Sequence, residues 1–570
     1  MRASYTLPGR STSASYGGMG NDAGSLLLIV CVWLIATVLI NAVGDFPAND
    51  DWVYGASVEA LLRDGRFSLP SPASANVVLQ VYWGALFCLP FGFSYDALRV
   101  STGVLAVAGL FALYASVREA GGSRRLALVA TLVLELNPLW LQLGNTFMTD
   151  VPFTALTAVA LWQFARWART DDTRSLTAAF AIALATILLR QFALVFVAGF
   201  GVALAIRSRF SAKSLAVCLG AVALGTAAHL FYQHWLIASG RTVAVVGTSL
   251  HEVIPDPGPR AAARVLANIL RLMPYLGLMT APIYLAAGGG KAWEGLRSGH
   301  RSTLLAVAAV FALELAATAK QIGHMPYLGN VLNRWGLGPL TLRDTFVFQD
   351  NLPAMPAATA PLWTMALVLG ISFGAVLAVD LVFVALRTLA AMRTRTLSHA
   401  DTIAAGALGA VALYALIISV VALKLQWFDR YLLVLVPPLA LLIVVGRPSA
   451  PPPRRATGYA ALLVGLSAVF GIAASHDYFS WQRARLVATD TLRARGVPPC
   501  AIDGGYEFNG RYLYRADYRI TPDKTYWWVM DDRYIIASGP LPGYVVEQRF
   551  GFASWLPSGP RQVVILRRAG

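Results

Sequence analysis

Two carboxylates stand side by side in the stretch "NDDWVYG", Asn49 to Gly55, directly after the first apolar run of this 570-residue chain. A third, Asp150 in "NTFMTDVPFTAL", opens a later apolar run, and Arg190 interrupts another at "LLRQF". Charge at or inside an apolar segment is costly, so such groups are by default candidates for binding or proton transfer. A carboxylate near a low-dielectric boundary holds a proton more tightly, which suits it to act as a general base. A guanidinium presents a planar fork that matches phosphate. Each acid also has a plainer reading, because Asn49 to Asp51 could cap the helix that follows and Thr149 or Asp150 ahead of Pro152 is a fair helix start.

The elements that must hold these residues are membrane spans. The chain is 57% hydrophobic and 13% charged, a balance that no single soluble core hides from water. Its net charge of +16 is spread as small groups between apolar runs, which argues against a nucleic-acid partner and for the positive-inside bias of membrane proteins. The four cysteines, Cys31, Cys88, Cys218 and Cys500, show no CxxC and no metal-ligand spacing to histidine.

Runs of roughly 20 apolar residues suit a bilayer crossing, and they fall near 24–43, 96–117, 124–144, 148–168, 214–237, 272–288, 302–319, 360–387, 401–423, 429–446 and 456–475. The run at 175–206, broken by Arg190 and Gln191, is too long for one helix and reads as a hairpin of two, giving about 13 crossings. With the N-terminus inside, the cytoplasmic loops are then all basic. They carry Arg118, Arg124 and Arg125; Arg166, Arg169 and Arg174; Arg207, Arg209 and Lys213; Lys291, Arg297 and Arg301; Arg387, Arg393 and Arg395; and Arg447, Arg454 and Arg455. That regularity requires the hairpin.

The expected protein is an all-α polytopic membrane protein of the cytoplasmic (inner) membrane with a small extracytoplasmic α/β domain at its C-terminus. Residues 1–23 read as a disordered cytoplasmic tail, 24–475 as the membrane domain with its first outside loop at 44–95, and 476–570 as the outer domain. In the first outside loop, "DWVYGASVEALLRDG" and "VVLQVYWGALFCLPFG" read as amphipathic helices lying on the membrane. In the outer domain, "HDYFSWQRARLVATDTLRARG" continues the last span as helix, and "CAID", "YWWVM", "RYIIAS", "YVVEQRF" and "RQVVILRR" read as short strands. "IDGGYEFNG" lacks dinucleotide-site spacing and reads as a turn. No Walker motif, GxSxG or HExxH is present, so nucleotide hydrolysis and protease chemistry have no support.

On this topology Asp50, Asp51 and Asp150 share the outer face. The chain there resembles the GT-C superfamily of polyprenyl-phosphate-sugar glycosyltransferases, particularly bacterial aminoarabinose transferases and protein O-mannosyltransferases. The resemblance lies in an acidic pair followed three residues later by tyrosine (Asp50-Asp51 and Tyr54), an acid ahead of proline at a later span (Asp150), the "YW" at Tyr82-Trp83, and "FDRYLLVLVPPL" at Phe428 to Leu439. One departure is clear: aminoarabinose-transferase-like sequences have a Glu-Lys pair shortly before the Tyr-Trp, and this chain has Val77 where the lysine would stand, leaving Gln80 or other residues to make those contacts.

The resemblance implies a membrane glycosyltransferase that moves a sugar, with inversion, from a polyprenyl-monophosphate donor to an extracytoplasmic acceptor: a lipid, a glycan or a protein hydroxyl. Such a reaction needs a base for the acceptor proton and cations for the departing phosphate. Asp50 is the expected base. Asp150 could share that role, orient the acceptor, or with Asp51 hold a divalent metal cation. Tyr54, Arg190, Lys424, Arg430, Gln80 and Tyr82 are the candidates for binding the donor and its phosphate. Lys424 and Arg430, beside Trp427 and Tyr431, also fit an ordinary interfacial belt. Lys320, His324, Arg334 and Arg343 face the same side, His324 and Arg343 fitting a solvated loop. The rival from another class is a non-catalytic transporter or flippase of lipid-linked sugars, which would place charges near the bilayer midplane between broken helices.

Overall fold

The computed structural model describes residues 22–569 except 71, 72, 74, 243–259, 322–324, 354–358, 448–452, 516 and 519–526. The expected disordered tail and His324 therefore lie outside the described residues, apart from Asp22 and Ala23.

The first apolar run forms α1 (Ala23–Ile40), and the loop after it carries α2 (Asp51–Asp64) and α3 (Val78–Cys88). Then come α4 (Tyr95–Glu119), α5 (Arg124–Glu135), α6 (Pro138–Gly144), α7 (Asp150–Thr170), α8 (Thr173–Ile187), α9 (Leu194–Arg207) and α10 (Ala212–Ala238). The second half runs through α11 (Ala261–Ala287), α12 (Lys291–Arg297), α13 (Arg301–Thr318), α14 (Ala360–Thr394), α15 (His399–Val421), α16 (Val436–Gly446) and α17 (Arg454–Ala494). Among the described residues nine helices are long and apolar enough to span a membrane, or ten with α5 and α6 taken as one bent span. Adding α7 and the two arms of the α8–α9 hairpin gives the thirteen segments expected from the sequence.

The hairpin turns at Leu188 to Arg190, and Arg207 at its far end returns to bond Ala168 O at 2.8 Å and Thr402 Oγ1 at 3.2 Å. Most of the predicted basic loops meet in that same layer. Asp22 pairs with Arg118 and Arg124, Arg447 donates to Gly121 O, and Arg387 bonds both Val445 O and Asp401. One end of the bundle is thus tied by arginines, and the three acids singled out above lie at the other.

Several elements differ from their expected shape, each for a local reason. The 124–144 span bends by 64° between α5 and α6, because Pro138 has no N–H to give the helix and Asn137 caps a new one by accepting from Leu139 N at 2.9 Å. The span at 429–446 starts as a 3₁₀ stretch, Asp429–Leu435, and becomes α-helical at Val436, where Pro437 and Pro438 suit a helix start. The span at 272–288 begins earlier, at Ala261, since the alanines, leucines and arginines ahead of it are strong helix formers.

Inside the bundle, small residues let helices touch backbone to backbone, the packing mode that lipid favours. A Cβ on Gly277 of α11 would lie 2.3 Å from Gly374 N of α14, and one on Gly199 of α9 would lie 2.6 Å from Gly406 O of α15.

The last spanning helix, α17, has 41 residues, about 60 Å at 1.5 Å per residue, roughly twice the hydrocarbon thickness. It crosses the expected 475/476 boundary without a break and carries the C-terminal unit on its outer half. That unit is a four-stranded sheet in the order β3-β4-β6-β5, with β3 (Ile502–Asp503), β4 (Tyr534–Ala537), β5 (Tyr544–Gly551) and β6 (Gln562–Arg568). β3 and β4 are parallel and the other pairings antiparallel. Asp477 of α17 holds it by accepting from Trp555 N at 2.7 Å, Leu556 N at 2.8 Å and Ser554 Oγ at 2.7 Å. A two-residue hairpin, β1 (Leu332–Asn333) and β2 (Gly336–Leu337), packs beside it. Two readings are corrected here. Of "YWWVM", Tyr526 lies outside the described residues and Trp527 to Met530 form a turn, with Trp528 at φ 60°, not a strand, because the Trp528 indole packs into an aromatic cluster with Trp52 rather than onto the sheet. "GYEFN" begins a helix, α18 (Tyr506–Leu513), not merely a turn.

The glycine crossings give a direct expectation. Gly277→Val should destabilise the full-length protein by about 3 kcal/mol or more through overpacking, whereas Gly220→Val, whose Cβ meets nothing within 4 Å, should melt like the wild type. Thermal unfolding in detergent measures both.

Candidate active site

The acidic pair separates into two roles. Asp51 is fully buried: its Oδ1 accepts from Phe147 N at 3.1 Å and its Oδ2 from Ala48 N at 3.3 Å. It therefore ties the first loop to the turn ahead of α7. Burial pushes its carboxyl up to about 7. Asp50, at the N-cap position of α2, makes no side-chain cap bond. Instead its Oδ2 lies 3.2 Å from Nη2 of Arg430, and its Oδ1 accepts from the Tyr506 hydroxyl at 3.0 Å. The capping reading thus fails for the Asp50 side chain, which stays 26% exposed.

Arg430 is 6% exposed, so it is no snorkelling belt residue. Its guanidinium sits 5.1 Å from the Phe428 ring and 5.7 Å from the Tyr431 ring. One nitrogen is on Asp50, while Nε and Nη1 find no hydrogen-bond partner among the described residues. Its backbone is fixed by Asp429, whose carboxylate accepts from Arg430 N at 2.7 Å and from Leu332 N at 2.6 Å.

A second pair lies beside the first. Arg190 Nη1 is 3.0 Å from Asp150 Oδ1, and its Nε donates to Thr149 Oγ1 at 2.8 Å. Neither Asp150 oxygen accepts an aligned hydrogen bond, so the pair is held by charge rather than by directed bonding. The guanidinium of Arg190 is 5.4 Å from the same Tyr431 ring that Arg430 approaches. Two arginines thus flank one ring, each bound to its own acid. Tyr54, buried on α2, feels the charges of Asp50, Asp150, Arg190 and Arg430, and burial raises its hydroxyl above the ordinary tyrosine range.

The remaining candidates lie elsewhere. Gln80 is buried and donates to Phe147 O, so it braces the same turn as Asp51. Tyr82 is 51% exposed and stacks on Phe67 at 6.3 Å. Lys424 is exposed on the turn after α15. Val77, at the place of the expected lysine, is buried and donates its N–H to Leu189 O at 3.0 Å, against the turn that carries Arg190. Among the described residues no three His, Cys, Asp or Glu side chains gather as metal ligands. Asp51 spends both oxygens on backbone N–H groups and Asp150 faces Arg190, so the two acids do not fit a shared divalent cation.

Sequence reasoning missed Tyr506 and Glu507. Glu507 is fully buried, accepts from Asn49 N at 2.9 Å and pairs with Arg485 at 2.6 Å. Their only signal was a tyrosine and a glutamate between glycines, and nothing in spacing brings that stretch back to the first loop.

Residues 78–232 match the model of the dolichyl-phosphate-mannose-protein mannosyltransferase family. That match covers the stretch bearing Gln80, Asp150 and Arg190. It agrees with the resemblance to GT-C glycosyltransferases, and the class it defines is that of a multi-pass membrane glycosyltransferase. Among solved structures, ArnT from Cupriavidus metallidurans bound to undecaprenyl phosphate is similar at 13% identity over 97% of this chain and 99% of that one, with a TM-score of 0.40. The Archaeoglobus fulgidus oligosaccharyltransferase tethered to an acceptor peptide is similar at 14% identity over 90% of this chain and 62% of that one, with a TM-score of 0.38. The S. cerevisiae Pmt1-Pmt2 protein O-mannosyltransferase complex bound to its sugar donor is similar at 17% identity over 38% of this chain, with a TM-score of 0.30, and the chain spans 34% of that protein's length. No curated protein sequence matches this chain.

The burial of Asp51 has a measurable sign. Its folded pKa near 7 lies above the unfolded value of 3.8, so its contribution to stability is present at low pH and is lost as pH rises toward 7. Between pH 5 and 7 the wild type should lose stability more steeply than Asp51→Asn, by up to about 1.4 kcal/mol per pH unit. Denaturation midpoints of the two proteins across that range check it.

Proposed function

We propose that the chain is an inverting glycosyltransferase of the bacterial cytoplasmic membrane. It takes a sugar from a polyprenyl-monophosphate carrier and delivers it to a hydroxyl of an extracytoplasmic lipid, glycan or protein. The observation that carries this reading is Arg430, a buried guanidinium with one nitrogen on Asp50 and two N–H-bearing nitrogens without a hydrogen-bond partner among the described residues. A buried polar group left unpaired is costly, and an anion of the phosphodiester class would satisfy it.

The reaction then follows from the two acids and two cations. Asp50, partly open to solvent, accepts the acceptor's hydroxyl proton as that oxygen attacks the anomeric carbon. The bond from that carbon to the carrier phosphate breaks, and its electron pair leaves with the phosphate. Arg430 meets the charge that develops there. Arg190 adds a second positive charge against the same Tyr431 ring, beside the place where family members carry a lysine and this chain has Val77. Asp150 keeps Arg190 oriented. Tyr54, within the field of both pairs, offers a neutral hydroxyl to the sugar. The cations of this chain replace the metal that Asp51 and Asp150 do not fit, and no step runs through a metal. The orientation, with the acids outside and the arginine-tied layer in the cytoplasm, follows from the charge bias of the loops. Residues 24–475 serve as the membrane catalytic domain and 476–570 as its outer cover.

One observation favours the transport reading: Glu314, on a membrane helix, is fully buried with neither carboxylate oxygen bonded. The two readings separate by substitution. Asp50→Asn should lower sugar transfer from a radiolabelled polyprenyl-phosphate sugar by about 10²–10⁴-fold, and Arg430→Gln by about 10²–10³-fold, with normal expression and melting. Glu314→Gln should transfer normally. Wild-type transfer by Asp50→Asn, or loss confined to Glu314→Gln, would refute the catalytic reading.

A further inference from the structure

The C-terminal unit touches the proposed base directly. Two consecutive residues of α18 grip two consecutive residues of the first loop: Glu507 accepts from Asn49 N at 2.9 Å, and Tyr506 donates to Asp50 Oδ1 at 3.0 Å. These contacts join positions more than 450 residues apart. Asn49 adopts φ 56°, the left-handed region that asparagine tolerates, and this turns its N–H toward Glu507. On the other side, Gly505 sits at φ 85°, and a Cβ there would lie 2.5 Å from Thr341 O. The Tyr506 N–H bonds that same carbonyl at 3.0 Å. Thr341 Oγ1 and Arg485 also bind Glu507 Oε2, at 2.5 and 2.6 Å. The start of α18 is therefore pinned from the loop before the 343–347 turn, from α17 and from the first loop at once. The Tyr506 ring stands edge-on to Trp52 at 5.9 Å and tilted against Trp527 at 5.6 Å, and its hydroxyl meets Asp50.

We infer that Tyr506 is a positioning residue for the transfer reaction: its hydroxyl fixes the rotamer of the Asp50 carboxylate, so that the C-terminal unit completes the active site. This inference rests on the reading of Asp50 as the base. Asp50 has one free torsion pair and two fixed partners, Arg430 on Oδ2 and Tyr506 on Oδ1. Arg430 must also serve the phosphate, so it cannot alone hold the carboxylate still when its charge is drawn to the donor. Tyr506 holds the other oxygen throughout and leaves that oxygen's second lone pair for the incoming hydroxyl. A misaligned base costs rate without costing affinity, because alignment is needed only where the proton moves. The titratable groups facing Asp50 are Arg430 from the 429–435 stretch, Tyr506 from α18, and Tyr54 and Asp51 from α2. Of these, Tyr506 is the neutral hydrogen-bond donor to it.

The test uses full-length protein in membranes and the first polyprenyl-phosphate sugar that the wild type transfers, with initial rates measured from pH 5 to 9. Tyr506→Phe keeps the ring and removes only the hydroxyl. Its kcat should fall about 10- to 100-fold, the loss expected for a hydrogen bond to a charged group. KM should stay within about twofold, since alignment matters only where the proton moves. Melting should match the wild type and Tyr512→Phe, an exposed neighbour on the same helix. Unchanged kcat in Tyr506→Phe would overturn the inference. So would a loss of rate that tracks a fall in melting temperature, because it would mark a structural role only. If Asp50→Asn is itself fully active, the proposed function fails instead; if Asp50→Asn is inactive while Tyr506→Phe behaves as wild type, only the role of Tyr506 fails.

Discussion

The ion pair between Asp50 and Arg430 joins residues 380 positions apart at the edge of a helix bundle, and much of the surrounding structure exists to hold its two ends. A buried arginine is tolerated only when it is paired, because removing its charge from water costs several kcal/mol. Arg430 is paired on one nitrogen only, so its backbone has to be fixed by other means. Asp429 does this by accepting from its own successor's N–H and from Leu332, which ties the start of the span to β1. At the other end, Asp51 fixes the start of α2 from below and Glu507 fixes Asn49 from above. Several segments thus bear on one carboxylate, two by direct contact through Arg430 and Tyr506 and the others by fixing the backbone beside it.

The division of labour between Asp50 and Asp51 follows from exposure. Two adjacent acids at the start of one helix point in different directions, and only Asp50 is open to solvent. The inward one is spent on backbone N–H groups of Ala48 and Phe147, a typical use of a buried carboxylate. The outward one keeps an open edge. Adjacent carboxylates that look equivalent in the sequence are therefore different groups in the fold.

This explains which parts were legible beforehand. The spans, the hairpin at 175–206 and the arginine-tied layer follow from apolar run length and the placement of Lys and Arg, both local and periodic signals. Asp50, Asp150, Arg190, Arg430 and Tyr54 could be picked out because each is polar where its neighbours are apolar, and the structure brings them around Tyr431. Lys424, Tyr82 and Gln80 shared that signal but face outward or brace the chain, since side-chain direction on a short helix depends on packing that no single sequence displays. The bend at Pro138 was written in the sequence as Asn-Pro, though run length alone hid it. Tyr506 and Glu507 were not legible, because the contact that gives them meaning spans more than 450 residues and lies between two units of different composition.

The pairing also bears on how charge would move on the proposed reading. Asp50 and Asp150 against Arg190 and Arg430 sum to zero, so the empty cleft carries no net charge of its own. A phosphodiester donor adds one negative charge, and cleavage to the monoester would concentrate a further one on the departing phosphate. At that moment Asp50 takes up a proton and loses its own charge. The total is conserved, and what shifts is the partner of Arg430: its pull toward the carboxylate weakens just as its pull toward the phosphate grows. Because the same guanidinium touches both, proton uptake at one end and bond breaking at the other reinforce each other without any large movement. An arginine bound to a separate acid that takes no part in the proton transfer, as Arg190 is to Asp150, cannot make that exchange. It supplies a constant field instead, which is why the two pairs around Tyr431 are not redundant.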